Sequence, residues 1–464
     1  MTQKNKIHFE ISERKILLRV IDNLSVLLVL YLLGIFFDFK YFNISPSNFI
    51  WTIILSIYIQ FFGTIFEMYN LQVASNQFQA IKSTLITGST TVLIYLLTPL
   101  FTPTLPTKRY EIILFYLALL IPLLVWRILY VKLFASKRFY KSAIIVCKTN
   151  ELNQLVQEIQ NADPHYKVLG YIDIETDKIE VFYFENLNQL KSDSLDSFIE
   201  KKSISEIVIA SQNTEGLKVE LHNKLIHLLE SGFTIREYTQ VYESLTQRIP
   251  VQYITRDFYK YFPFSRSNSN KLYLNLVRFL EVVISLIGLL GGFLISPFII
   301  IGNLLGNRGP LLYTQERVGK NGKIFNIYKL RSMIVDAEKD GAVFASQNDN
   351  RITLFGKFLR KSRLDEIPQF INVLKGEMAI IGPRPERPIF VKQIAQKMPF
   401  YETRHVIKPG LTGWAQVNYS YGENLEDSLI KLQYDLYYIK HRSIFLDLNI
   451  TVKTLSTVVF YRGQ

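Results

Sequence analysis

Asp365 and Glu366 stand side by side in the run RKSRLDEIPQF, with Arg360, Lys361 and Arg363 just upstream. Two adjacent carboxylates repel each other unless a cation sits between or beside them. Neighbouring side chains diverge on a helix, so the pair suits divided roles better than a shared proton. One carboxylate can act as a nucleophile. The other can hold Mg²⁺ in an oxygen-rich site. A helix cap or a plain salt-bridged pair would use the same two residues.

The surroundings favour phosphate chemistry. Arg317, Arg331, Arg351, Arg360, Arg363, Arg384 and Arg387 crowd the same region, as does Lys329. A guanidinium fork matches phosphate oxygens two at a time. A solvated or lipid-facing basic surface would account for some of these arginines. Two rigid stretches, GPRPERP and KPGLTGW, follow the carboxylate pair. Proline fixes φ and glycine permits unusual φ. Arg384, between Pro383 and Pro385, is therefore expected to be held in place with little entropy left to lose on binding.

These residues sit in a chain built for a membrane. Of its 464 residues 48% are hydrophobic and 14% aromatic, too apolar for an ordinary soluble protein of this length. The net charge of +13 fits membrane topology, anionic lipid and a phosphate site. Nucleic acid is not an expected partner, since no basic helix or stacking-aromatic motif occurs. The single cysteine, Cys147, excludes an internal disulfide and a cysteine metal site. The first fifteen residues are polar, so no cleavable signal peptide is expected.

Four apolar segments open the chain, at about Leu17–Phe37, Phe49–Phe66, Ile81–Phe101 and Ile112–Val131. Each approaches the length of a spanning helix. Arg19 and Asp22 in the first and Arg127 in the fourth lie near segment ends, where polar groups are tolerated. Lysines and arginines flank both outer ends of the set, which places those ends in the cytoplasm. Lys108 and Arg109 on an outer loop run mildly against that rule. From residue 137 to 245 strands and helices alternate, which argues a parallel α/β unit. Strands are expected at SAIIVC, KVLGYIDI, ISEIVIAS and FTIREY, and helices near 150–160, 187–201 and 217–231. A dinucleotide-binding unit needs glycines after its first strand, and Cys147-Lys148-Thr149-Asn150 has none. Docking or homodimer formation is the role expected of this domain. A polar connector covers 246–270, and the motif-dense domain covers 271–464.

That last domain begins with an apolar segment, about 274–305, interrupted by Ser296-Pro297. A proline inside a helix removes a hydrogen bond and costs about 3 kcal/mol. In lipid the freed carbonyl needs a new donor, and the Ser296 hydroxyl is placed to supply one. Lys271 and Arg278 precede the segment; Arg308, Arg317, Lys320 and Lys323 follow it. With both flanks basic, the expectation is a re-entrant helix that enters the bilayer, breaks at Ser296-Pro297 and returns. The stretch SIFLDLNITVKTLSTVVF near the C-terminus fits an amphipathic helix on the membrane or a core helix.

Taken together, QERVGKNGKIFNIYKLRSM, DNRIT, GKFLRKSRLDEIPQFINVLKGEM, GPRPE and KPGLTGWAQV closely resemble the bacterial sugar transferases, the polyprenyl-phosphate sugar-1-phosphate transferases. Four transmembrane helices plus a Rossmann-like α/β domain resemble the long form of that family. One departure is Arg278-Phe279-Leu280-Glu281, where the family often has Arg-x-x-Asp. A carboxylate is kept, so little consequence is expected. The resemblance implies a multi-pass protein of the bacterial cytoplasmic (inner) membrane with its α+β catalytic domain facing the cytoplasm. It implies transfer of a sugar-1-phosphate from a nucleotide sugar to undecaprenyl phosphate. Asp365 would be the nucleophile and Glu366 the Mg²⁺ ligand. Arg317, Lys329, Arg331, Arg351, Arg360 and Arg384 would hold phosphates. A conventional glycosyltransferase usually shows Asp-x-Asp, which is absent here. A transporter would want charges deep in its spans, and these segments have almost none. A non-catalytic membrane scaffold is the other reading that the helices and the glycine-poor α/β domain allow.

Overall fold

The computed structural model describes residues 11–37, 39–75, 77–106, 108–134, 141–163, 166–174, 187–210, 219–253, 265–335, 337, 349–398, 400–419 and 425–459. It divides into two compact units, Met1–Thr246 and Gln247–Gln464. Part of the expected connector, 254–264, lies outside the described residues.

The first unit begins with helices α1 (Ile11–Phe37), α2 (Phe49–Ile65), the short α3 (Leu71–Ser75), α4 (Gln77–Leu97) and α5 (Arg109–Phe134). The four long ones are apolar enough to cross a membrane. The third expected segment begins and ends earlier than its hydropathy suggested. Pro99 forces the preceding residue out of the helical region, so α4 stops at Leu97. Facing helices bury Val26, Leu55, Tyr95, Phe115 and Leu119 in one core. Asp22 and Arg127, unpaired in the sequence, meet at 2.6 Å and are both buried. Each removes the cost of burying the other alone.

The α/β part follows, with strands β1 (Lys141–Cys147), β2 (Tyr166–Asp173), β3 (Asn188–Gln189), β4 (Glu206–Ile209) and β5 (Thr234–Glu237). All pair in parallel, in the order β3-β2-β1-β4-β5. Helices α6 (Leu152–Ala162), α7 (Leu195–Lys202), α8 (Val219–Glu230) and α9 (Tyr238–Thr246) accompany the sheet. The helix expected from residue 187 starts only at Leu195. Asn188 and Gln189 pair instead with Gly170 and Tyr171, because bare Gly170 lets Leu190 lie against the sheet. The turn after β1 carries Thr149, whose hydroxyl bonds Asp173 at the end of β2 at 2.7 Å.

The second unit opens with α10 (Lys271–Gly306), started by Asn270, whose side chain accepts from the Leu272 and Tyr273 amides. The helix is continuous through Pro297, so the expected interruption is no gap in the helix. The Ser296 hydroxyl donates to the Phe293 carbonyl at 2.7 Å. That carbonyl lies four residues before the proline and is the one left without an amide. Both halves of α10 touch their own domain. On one side of Pro297, Arg278 donates to Val373 and Leu374, Gly288 admits the Phe370 ring and Gly292 admits Ile367. On the other, Gly302 and Gly306 lie against Phe355, and Asn307 donates to the Arg331 carbonyl. Glu281 pairs with Arg278 at 3.3 Å.

The domain is completed by a hairpin, β6 (Leu312–Val318) and β7 (Ile324–Leu330), then α11 (Leu354–Lys361), α12 (Gln369–Lys375), β8 (Ala379–Ile381), α13 (Pro388–Lys397), β9 (Gly410–Thr412), α14 (Trp414–Asn418), α15 (Leu425–His441) and α16 (Ile444–Val459). Strands β8 and β9 pair in parallel. A core of Phe390, Ile394, Trp414, Leu432, Leu436 and Ile450 ties α13 to α16. Helix α16 has two faces: Ile450 and Val452 are buried, while Phe445 and Leu448 are exposed.

Candidate active site

Asp365 and Glu366 lie on a single 3₁₀ turn, Leu364–Glu366. Thr353 caps α11 by accepting from the Gly356 amide. Arg363 then takes a left-handed conformation, φ 59°, which ends α11 and reverses the chain into the carboxylate turn. For a residue other than glycine that conformation is uncommon and clusters at functional sites.

The two carboxylates have different surroundings. Glu366 has Lys329 at 4.0 Å, Arg363 at 3.4 Å and Arg384 at 3.4 Å. Asp365 is buried and forms no ion pair within 4 Å among the described residues. Burial, then the charge of Glu366, pushes the Asp365 carboxyl up to about 6. Burial also works against the Glu366 charge, but Arg384, Lys329 and Arg363 outweigh it and hold this carboxyl below its usual range. Lys329 is brought down to about 8, first by burial and then by Arg384. The two carboxylates therefore differ: Glu366 is ion-paired with three cations, while Asp365 feels Lys329, Arg360 and Arg384 only at longer range.

A cavity of about 490 Å³ opens over this turn. Arg317, Lys329, Arg331, Arg351, Arg360 and Arg384 all line it, together with Arg363 and Arg387. They are not equivalent. Arg360 lines the cavity and donates through Nε to the Ser332 hydroxyl at 2.9 Å. Arg331 is committed to the backbone: it donates to the carbonyls of Pro310, Met333 and Asn307 and to the Asn307 side chain. It clamps the end of α10 while also lining the cavity. Arg351 is gripped by Asp349 at 2.8 and 2.5 Å. The Arg351 guanidinium in turn holds the Asp349 carboxyl down to about 2. Arg317 donates to the Pro385 carbonyl at 3.0 Å.

Ser296 and Pro297 lie on α10 and are absent from the cavity lining.

The Pro383-Arg384-Pro385 turn is pinned at nearly every backbone group. Gly382 donates to Thr412, Gly410 donates to Pro383, and the Val318 amide donates to Glu386. The Arg384 carbonyl accepts from Arg404 at 3.0 Å, and Arg404 is locked by buried Asp435 on α15 at 2.5 Å. Sequence reasoning passed over Arg404 and Asp435, which lie 31 positions apart. The glycines of KPGLTGW have a concrete cause. A Cβ on Gly410 would lie 2.1 Å from the Gly382 nitrogen, and one on Gly413 2.1 Å from the Gly382 carbonyl oxygen. The two motifs press backbone against backbone. Lys431 and Ser428, also missed, line the cavity too.

The sequence model described as Bacterial sugar transferase matches residues 272–461. A Bacillus subtilis (strain 168) protein is 46% identical over 144 residues, which cover 30% of this chain and 79% of the relative. Its name assigns it, provisionally, as an undecaprenyl-phosphate N-acetylgalactosaminyl 1-phosphate transferase. The chain belongs to the bacterial sugar transferase family.

Two further relatives carry fuller names. The UDP-N-acetylgalactosamine-undecaprenyl-phosphate N-acetylgalactosaminephosphotransferase of Aeromonas hydrophila is 36% identical over 257 residues, 55% of this chain and 59% of the relative. The UDP-glucose:undecaprenyl-phosphate glucose-1-phosphate transferase of Escherichia coli (strain K12) is 42% identical over 167 residues, 35% of this chain and 36% of the relative. The chain thus spans 59% and 36% of the length of these two proteins, less than two thirds of either.

The carboxylate pair also has to be weighed as a metal site. Among the described residues no group of three His, Cys, Asp or Glu side chains comes together. Mg²⁺ commonly needs only one or two carboxylates, with water and substrate phosphates completing its shell. Glu366 is a carboxylate in the cavity wall, and in this structure it pairs with Lys329, Arg363 and Arg384.

Proposed function

We propose that this protein transfers a sugar-1-phosphate from a UDP-sugar to undecaprenyl phosphate at the inner leaflet of the bacterial cytoplasmic membrane, the first step of building an exported polysaccharide. The observation that carries the reading is the contrast between buried Asp365, without an ion pair among the described residues, and Glu366, paired with three cations, in one arginine-lined cavity. The names of the relatives support the donor and acceptor classes.

In the first step an Asp365 oxygen attacks the phosphorus that bears the sugar. The bond from that phosphorus to the bridging oxygen breaks, and UMP leaves with the oxygen. The sugar-phosphate remains as an acyl phosphate on Asp365. In the second step an oxygen of the lipid phosphate attacks the same phosphorus, and Asp365 departs as a carboxylate. Lys329, Arg360 and Arg384 bind and orient the phosphates and offset the charge that builds on their oxygens. The Arg404 and Arg317 contacts to the 384–385 backbone keep Arg384 aimed at the cavity. A Mg²⁺ held by Glu366 and the donor's own phosphates would neutralise the diphosphate and the departing monophosphate.

The course of α10 supports an active site at the inner leaflet. Its 36 residues would reach about 54 Å, against the roughly 30 Å of a bilayer core. Contacts with the catalytic domain begin at Tyr273 and run to Asn307, on both sides of Pro297. A helix crossing the bilayer would draw that polar domain in with it. A re-entrant path keeps the whole domain on the cytoplasmic face.

The deciding experiment incubates the full chain in nanodiscs with Mg²⁺, undecaprenyl phosphate and a panel of UDP-sugars, and follows UMP. Release with one donor, with turnover dependent on the lipid and abolished in Asp365→Asn, is the expected outcome. Free UDP in place of UMP, or an Asp365→Asn variant that turns over normally, overturns the reading.

A further inference from the structure

The cavity has a second kind of wall. Pro310, Leu312, Ile334 and Val335 line it, and the last three are 54%, 51% and 54% exposed. They come from two chain segments that Arg331 staples together, through the carbonyls of Pro310 and Met333. Val335 also lies against Gly309, where a Cβ would come within 3.1 Å. The patch continues to α10: Asn303 and Asn307 bond the Gly309 and Arg331 carbonyls, next to exposed Leu304 and Leu305. At its inner edge Arg360 donates to Ser332, two residues before Ile334. An apolar strip therefore runs from the exposed C-terminal end of α10 to the Arg360 guanidinium.

A nucleotide sugar is polar throughout and has no use for such a strip. An amphiphile with an anionic head and a long hydrocarbon chain matches both parts. We infer that the isoprenoid chain of the acceptor enters over Leu312, Ile334 and Val335, delivering its phosphate past Arg360 toward Asp365. This rests on the proposed transfer reaction and deepens it. Arg331, the clamp, is then a positioning residue for the lipid path.

The test uses the full chain in nanodiscs and the double variant Ile334→Gln/Val335→Gln, with Val335→Phe as the variant that keeps the strip apolar. Two reactions are measured apart: UMP release in a single turnover without acceptor, and steady-state transfer to undecaprenyl phosphate and to a water-soluble short-chain prenyl phosphate. The expected result is an unchanged single-turnover burst. The glutamine pair raises KM for undecaprenyl phosphate about tenfold, leaves the short-chain acceptor unaffected, and Val335→Phe retains the preference for the long chain. An unchanged KM for undecaprenyl phosphate overturns the inference, as does an equal loss with both acceptors or loss of the burst in variants that melt like the parent. If the parent itself gives no burst, the aspartyl reading fails instead, and the two failures are told apart.

Discussion

Replacing Gly410 by alanine tests how the Pro383-Arg384-Pro385 turn is held. The added Cβ would lie 2.1 Å from the Gly382 nitrogen and 2.5 Å from the Thr412 carbonyl oxygen. Both are backbone atoms, so no side chain can swing away. Ordinary contact starts near 3.4 Å, so the two strands must part by about 1.3 Å. The hydrogen bonds Gly410–Pro383 at 2.9 Å and Gly382–Thr412 at 2.8 Å would then be lost. At about 0.5–1.5 kcal/mol each, that costs roughly 1–3 kcal/mol of stability. The larger effect is on chemistry. Arg384 rides on this turn, and a displacement near 1 Å of a group that orients substrate costs on the order of a hundredfold in rate. The measurement is UMP release beside a thermal melt, with Gly291→Ala as control because a Cβ there meets nothing within 4 Å. A Gly410→Ala enzyme with parental rate and parental melting would refute the backbone-packing argument. A fall in melting temperature with an undiminished rate would show that Arg384 is not placed by this contact.

Three further outcomes are expected. Ser296→Ala leaves the Phe293 carbonyl without its donor and should lower stability in nanodiscs by about 1–3 kcal/mol; adding Pro297→Ala restores an amide four residues on and should recover most of the loss, read by thermal melting of the single and double variants. His405 is pulled down to about 4, first by burial and then by Arg404. With the folded value below the unfolded one near 6.5, the unfolded chain takes the proton first, so stability should fall as pH drops from about 6.5 toward 4, by about 1–3 kcal/mol. Melting curves across that range should be flatter for His405→Gln than for the parent, and parallel curves would dismiss the effect. Finally, Cys147 is buried, so a Cys147→Ser background with exposed Arg308→Cys gives a clean topology probe; labelling should occur from the cytoplasmic side only, and periplasmic labelling would sink the re-entrant path.

What could be read in the chain alone was whatever depends on local chemistry. Apolar runs near twenty residues long announced α1, α2, α4 and α5, because a bilayer imposes its thickness on any sequence that crosses it. Alternating strands and helices announced the parallel sheet. The Asp365-Glu366 pair, the proline-bracketed Arg384 and the Ser296 hydroxyl next to Pro297 were equally visible, since each works through neighbours in sequence. Tertiary structure decided what long-range partners decide. A guanidinium looks the same in sequence whatever it meets, so only the fold shows that Arg360 bonds the Ser332 hydroxyl while Arg331 bonds backbone carbonyls that clamp the end of α10. Arg404 acquires its purpose from Asp435, and Asp22 from Arg127. The difference between the two carboxylates is also a property of the fold. Covalently they are neighbours, but Lys329 and Arg384 reach Glu366 from distant parts of the chain while among the described residues no ion pair reaches buried Asp365, and charge at that depth is governed by what lies within a few ångströms.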